Sequence, residues 1–157
     1  MKYLHQLVAE RLTGLSTEHY VTDDMQRGID MEAEARSLYE LRNDCLVDEV
    51  GFIMHPTIPY CGASPDGVIG SDGLIEIKCP RPERHVSTLL TNMAPADYLP
   101  QMYLQMACTG AKWCDFVSFC SAMPEHVRIA VVRVQRDEER IAQMEQEIEK
   151  FLAEAVS

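Results

Sequence analysis

Gly62-Ala63-Ser64-Pro65-Asp66-Gly67-Val68-Ile69-Gly70-Ser71-Asp72-Gly73-Leu74-Ile75-Glu76-Ile77-Lys78-Cys79-Pro80 is the stretch on which the reading of this chain turns. Two short apolar runs, Val68 to Ile69 and Leu74 to Cys79, flank Gly70-Ser71-Asp72-Gly73, a hairpin signal. In a strand, side chains at i and i+2 share a face. Glu76 and Lys78 therefore point one way, and Ile75 and Ile77 point the other, into a core. A loop of Ser71-Asp72-Gly73, with Gly73 as the left-handed residue, pairs Asp66 with Lys78 and Val68 with Glu76. Asp66, Glu76 and Lys78 then cluster on one face. A two-residue loop would turn Asp66 to the opposite face, so the cluster requires an odd loop or a bulge.

Two carboxylates converging on one point repel each other unless a cation sits between them. Oxygen ligands with water positions left open suit Mg2+ or Mn2+. Such an ion polarises a phosphodiester and lowers the pKa of a bound water. The compact ammonium of Lys78 can hold that water in line with phosphorus. Against this stands the common fate of a Glu and a Lys two apart on a strand, a solvated face. Their alternation with purely apolar Ile75 and Ile77 needs an explanation, and the residues alone leave both readings open.

Outward from this stretch, the apolar spacing predicts helices over residues 2–12 and over Asp24 to Asn43, the second capped by Thr22 or Asp23. The inward side of that second helix carries Met25, Gly28, Glu32, Ala35 and Tyr39, with Glu32 the misfit on a packing face. Residues 45–55 read as a strand, 83–92 as a helix, and Asp97 as the cap of a helix running to about Cys108 before Gly110. Residues 112–120 and 126–135 are strand-like, and Asp137 to Ala155 is an amphipathic helix. The order α-α-β-β-β-α-α-β-β-α predicts one α/β domain over 1–157, a mixed central β-sheet flanked by helices.

The formal net charge of −11 argues against a protein that coats nucleic acid non-specifically. A local basic patch, Lys78, Arg81 and Arg84 against Glu83, adjoins the candidate cluster. The acidic segment from Arg136 onward reads as a solvated helix face. No run of about 18 apolar residues suggests a membrane span, and the amino end lacks the apolar core of a signal peptide. A cytoplasmic location and reduced cysteines follow. The six cysteines show no C-x-x-C pair and read as core thiols. His55 and His85 read as packing or surface residues, and Trp113 as core beside Phe116 and Phe119.

The segment Gly62 to Pro80 resembles the PD-(D/E)xK nuclease signature and, more narrowly, the lambda-exonuclease-like family of YqaJ-type viral recombinases. Met25 to Arg36 resembles that family's early helix, in which a Gly precedes an active-site Glu by four residues, here Gly28 and Glu32. Tyr98 to Met106 resembles the later helix that brings a Gln, here Gln101, to the site. The resemblance runs from Tyr3 to about Val134. It implies a restriction-endonuclease-like core and a Mg2+-dependent exonuclease, acting 5′-to-3′ on double-stranded DNA ends in phage recombination. It implies that Asp66 and Glu76 bind the metal with the backbone carbonyl of Ile77, and that Lys78 orients or activates the attacking water. Glu32 would be a further acid, Gln101 would help hold the nucleophile or scissile phosphate, and Ser64 would touch a phosphate. Arg81 and Arg84 are assigned to the DNA backbone on electrostatic grounds. A homotrimeric ring, a single-strand annealing protein as partner, and a bacterial-host or prophage setting complete what the resemblance implies.

Two departures stand out. The family's additional amino-terminal stretch, which lies near the 5′ phosphate, is not found ahead of the matching residues. The family's Q-x-x-x-Y pattern reads Gln101-x-x-x-Gln105. Rival readings are an iron–sulfur nuclease, which needs four clustered Cys, and a catalytically impaired module that only binds DNA or assembles.

Overall fold

Helix α1 (Asp23–Asn43) opens the part of the chain, residues 23–156, that the computed structural model describes. The helix expected over residues 2–12 lies outside it. α1 packs from Met31 onward: Ala35 and Tyr39 are fully buried, whereas Met25 and Gly28 on the expected inward stripe are exposed. The 45–55 segment is not one strand. It gives a single bridge, Asp48 to Val68, and the short strand β1 (Ile53–Met54), paired with β2 (Gly62–Ala63).

Four strands make the main sheet in the order β3 (Gly67–Ile69), β4 (Gly73–Lys78), β5 (Trp113–Phe119), β6 (Ile129–Gln135). β4 and β5 run parallel, and the other two pairs are antiparallel. A parallel pair needs a long crossover. Here it contains α2 (Pro82–Thr91), a 3-10 turn (Ala96–Tyr98) and α3 (Leu99–Thr109). Pro82 begins α2, where its missing N–H is harmless, and Gly110 ends α3 with φ 77°. Asp97 does not cap α3, because the 3-10 turn intervenes and its carboxylate is taken by Arg84. Helix α4 (Glu138–Val156) buries Ile141, Ile148 and Leu152 and turns its acids outward, apart from the half-buried Glu145, which meets His55.

Strand alternation gives the main sheet a separate core cluster on each face. Ile75, Ile77, Val117 and Phe119 meet Ala35 and Tyr39 of α1 on one face. Leu74, Cys114 and Phe116 meet Met102 and Met106 of α3 and Ile141 of α4 on the other. Trp113 does not join Phe116 and Phe119. It lies half-buried under the Arg133 guanidinium, 3.6 Å from its ring centre. The fold is a mixed α/β domain whose four-stranded sheet is flanked by helices, as the sequence predicts.

The hairpin register differs from expectation. Gly67 pairs with Ile75, Val68 with Leu74, and Ile69 with Gly73, so the loop is Gly70-Ser71-Asp72. Gly70, with φ 59°, is the left-handed residue. Gly73 is a strand residue whose bare Cα lies against the Trp113 ring, where a Cβ would come within 2.2 Å of it. The slip is two places, an even number, so every side chain keeps its face. Continued by one pair, the register sets Asp66 opposite Glu76.

Candidate active site

Asp66 sits where β3 begins, just beyond the last residue of that strand that pairs with β4. Its Oδ2 accepts a hydrogen bond of 2.7 Å from the Ile77 backbone N–H, which has no β3 residue to face. The N–H and C=O of one strand residue point to the same side, so the Ile77 carbonyl is turned toward Asp66 as well. Glu76, only 2% exposed, lies on the same face. Its Oε1 is 3.3 Å from Lys78 Nζ, and its Oε2 accepts 2.7 Å from Gln105 Nε2. The three residues singled out in the sequence are thus brought together.

Burial and the nearby Glu76 charge push the Asp66 carboxyl up to about 8. Burial also raises Glu76, against the pull of the Lys78 charge and the Gln105 hydrogen bond. Both carboxyls are held where the charged form is disfavoured, and a divalent cation would reverse that preference. Among the described residues no three His, Cys, Asp or Glu side chains converge as a protein cage. Two carboxylates, a backbone carbonyl and water are the donor set that suits Mg2+, which keeps several of its waters.

Glu32 joins from α1 through Arg36. Arg36 Nη2 donates to Glu32 Oε1 at 3.0 Å and to the Asp66 carbonyl at 3.4 Å, while Nη1 pairs with Glu49 at 2.9 Å. The misfit on the packing face of α1 is therefore an acid at the edge of the site, and its charge adds to the pressure on Asp66. Arg36 was missed, although a Glu followed four residues later by an Arg is a legible helix pair.

Gln101 lies in the first turn of α3, half-buried, with no hydrogen bond to either carboxylate among the described contacts. Gln105, one turn on and fully buried, bonds to Glu76. The available signal was a polar residue among the apolar positions Met102, Leu104 and Met106. Ser64 is exposed just after β2. Arg81 and Arg84 are exposed and, with Cys79, Pro80, Glu83 and Tyr98, line an open cleft of about 510 Å³ beside Lys78. Lys78 Nζ and the Arg84 guanidinium lie 4.9 and 4.8 Å from the Tyr98 ring centre.

His55 and His85 are both buried in structural roles. His55 Nδ1 accepts from the Thr57 and Ile58 N–H groups, which leaves Nε2 to donate to Glu145. His85 bridges Ser118 and the Val127 carbonyl. The cysteines are dispersed, with Cys61 and Cys108 in one core cluster, Cys114 in another, and Cys45 and Cys79 at the edge of a third.

Residues 1–112 match the model of the YqaJ-like viral recombinase domain. The crystal structure of an alkaline exonuclease, LHK-Exo, from Laribacter hongkongensis is 44% identical, with a TM-score of 0.84 over 98% of this chain and 77% of that one. The same exonuclease in complex with dAMP superposes with a TM-score of 0.85 at the same identity and coverage. A phage-related exonuclease from Haemophilus somnus 129PT, 15% identical, shares the fold with a TM-score of 0.60 over 98% of this chain and 82% of that one. No curated protein sequence matches this chain significantly.

Proposed function

This chain belongs to the YqaJ-like viral recombinase domain family, and from that premise we propose that it is a Mg2+-dependent exonuclease that degrades double-stranded DNA ends 5′-to-3′ in phage-type recombination. The observation that carries the reading is the pair of carboxyls, Asp66 and Glu76, held beside Lys78 at the end of β4 with both acids pushed toward the protonated form.

Asp66, Glu76 and the Ile77 carbonyl would hold the ion. When bound, the ion supplies charge neutralisation at the scissile phosphate, and Mn2+ would serve in its place. Lys78 Nζ, anchored at 3.3 Å on Glu76 Oε1, is placed to hold the attacking water in line with phosphorus. Glu32, steadied by Arg36, is placed to accept a hydrogen bond from water at the rim. Gln101 is assigned to the nucleophile or scissile phosphate, and Ser64, Arg81 and Arg84 to the DNA backbone. The cleft beside Lys78 gives a strand a positively charged path past the site, despite the net charge of −11.

A homotrimer would enclose the duplex. Segment 46–60 exposes Leu46, Phe52, Met54 and Tyr60, apolar surface of the kind an oligomer covers. Light scattering that finds only monomer rejects this. A single-strand annealing protein is the proposed partner, and the cytoplasm of a bacterial host the proposed location. No helix among the described residues is long and apolar enough to cross a membrane.

The test is digestion of linear duplex with Mg2+, using 5′-phosphorylated and 5′-hydroxyl ends, for the wild type, Asp66→Ala and Lys78→Ala. Mononucleotide release that needs Mg2+ and is lost in both variants is expected. Activity untouched by both substitutions rules the site out.

A further inference from the structure

Gln105 occupies a place in α3 where an apolar residue would pack without penalty. It is fully buried, as are its neighbours on the same face, Met102 and Met106. Its Nε2 donates to Glu76 Oε2 at 2.7 Å, and among the described residues its Oε1 is buried with no partner. A buried acceptor with no donor destabilises the fold. The direction of the amide follows from chemistry, since an ionised carboxylate only accepts and the NH2 must face it. The O and N of a planar amide lie about 2.3 Å apart. The orphaned Oε1 is therefore within about 5 Å of Glu76 Oε2, close enough for one water to bridge.

Glu76 is held at both oxygens, Oε1 by Lys78 and Oε2 by Gln105. With two fixed donors the carboxylate plane cannot rotate freely. We propose that Gln105 is the positioning residue of the metal site: Nε2 fixes the Glu76 carboxylate, and Oε1 receives a hydrogen bond from a water carried on the divalent ion. The inference rests on the nuclease reading above. It assigns a use to the one feature of α3 that packing disfavours, and it places that use four residues beyond Gln101.

The experiment compares wild type, Gln105→Met and Gln105→Leu. Free Mn2+ is measured by electron paramagnetic resonance during titration of the metal-free protein. The Mg2+ concentration for half-maximal digestion, and the KM for duplex at saturating Mg2+, are measured alongside. Loss of a residue that orients a metal ligand weakens metal binding by about 10- to 100-fold. The folded variants should show that rise in Mn2+ dissociation constant and a parallel rise in Mg2+ requirement, with KM for DNA unchanged. Melting should stay close to that of wild type, because loss of the orphaned Oε1 offsets loss of the donor to Glu76 Oε2. Unaltered Mn2+ affinity in either folded variant overturns the proposal. So does loss of the fold in both, which would make Gln105 a core residue. A wild type that digests duplex in Mg2+ while the variants match it sinks this inference alone; one that neither binds Mn2+ nor digests DNA sinks the nuclease reading, and this inference with it.

Discussion

The Asp66 carboxylate is tied to the backbone N–H of Ile77 at 2.7 Å, and Ile77 is the residue between Glu76 and Lys78. One hydrogen bond thus docks the loop acid onto the strand that carries the other two groups. Asp66→Asn, with its amide oxygen toward Ile77, can keep that bond while removing the charge. The expected outcome is a folded protein whose digestion rate falls about 100-fold or more, the scale of losing several kcal/mol of transition-state stabilisation. Circular dichroism and a duplex-digestion assay check it together.

The raised Asp66 carboxyl makes the metal-free protein sensitive to pH. Its value goes from 3.8 for an ordinary aspartate to about 8 in the folded chain. The folded state therefore binds the proton more tightly than the unfolded one, and stability from this group is lost as pH rises from about 4 to about 8. In EDTA the melting temperature should fall across that window. Mg2+, which binds the deprotonated form, should restore it most at the alkaline end. Asp66→Asn should flatten the EDTA curve. A wild-type melting temperature in EDTA that is level from pH 4 to 8 counts against the buried, repelled pair.

Much of this was legible because period-two alternation is strict. The hairpin slipped by two residues from the expected register, yet Asp66 stayed on the face of Glu76 and Lys78, since parity and not register sets the face. Glu32 announced itself as a charge on a packing stripe. The position of the left-handed residue was not legible, because Gly70 and Gly73 both permit it and only the Trp113 ring against Gly73 decides. Nor was the bond from Gln105 to Glu76, because which residue of α3 reaches the carboxylate depends on how that helix sits on the sheet. The 3-10 turn before α3 moved its cap one residue on, from the expected Asp97 to Tyr98.

Lys78→Met separates metal binding from catalysis. Lys78 touches Glu76 only through Oε1, and Gln105 still holds the other oxygen. Calorimetry should show Mn2+ binding retained, while the rate falls by about 100-fold or more, the scale of a lost proton-handling or water-orienting group. Equal loss of both would place Lys78 in the metal scaffold instead.

Arg36→Ala tests the junction between α1 and the Asp66 loop. It strands Glu32 and frees the Asp66 carbonyl, both held by Nη2. The arm to Glu49 adds little, since that partner is largely exposed. Urea denaturation should show a loss of roughly 1–3 kcal/mol, with a slower nuclease at saturating Mg2+. Arg36→Lys keeps the charge but not the fork that reaches two acceptors from one nitrogen plane. It should recover stability in part and activity less, and equal recovery of both would reduce Arg36 to a charge.

Arg84 is shared between Asp97, at 2.5 Å, and the face of Tyr98 beside the cleft. An exposed pair of this kind contributes little stability, so its charges are available to a DNA phosphate. Arg84→Ala should weaken duplex binding about equally for any sequence, and it should lower the slope of log affinity against log salt by about one. Asp97→Asn frees the guanidinium and removes a local negative charge, so its binding should tighten at low salt. Filter binding in Ca2+, across a salt series, measures both. If the two substitutions shift affinity in the same direction, Arg84 is a stabiliser of the 3-10 turn and not a contact to the strand. The basic cleft would then rest on Lys78 and Arg81 alone.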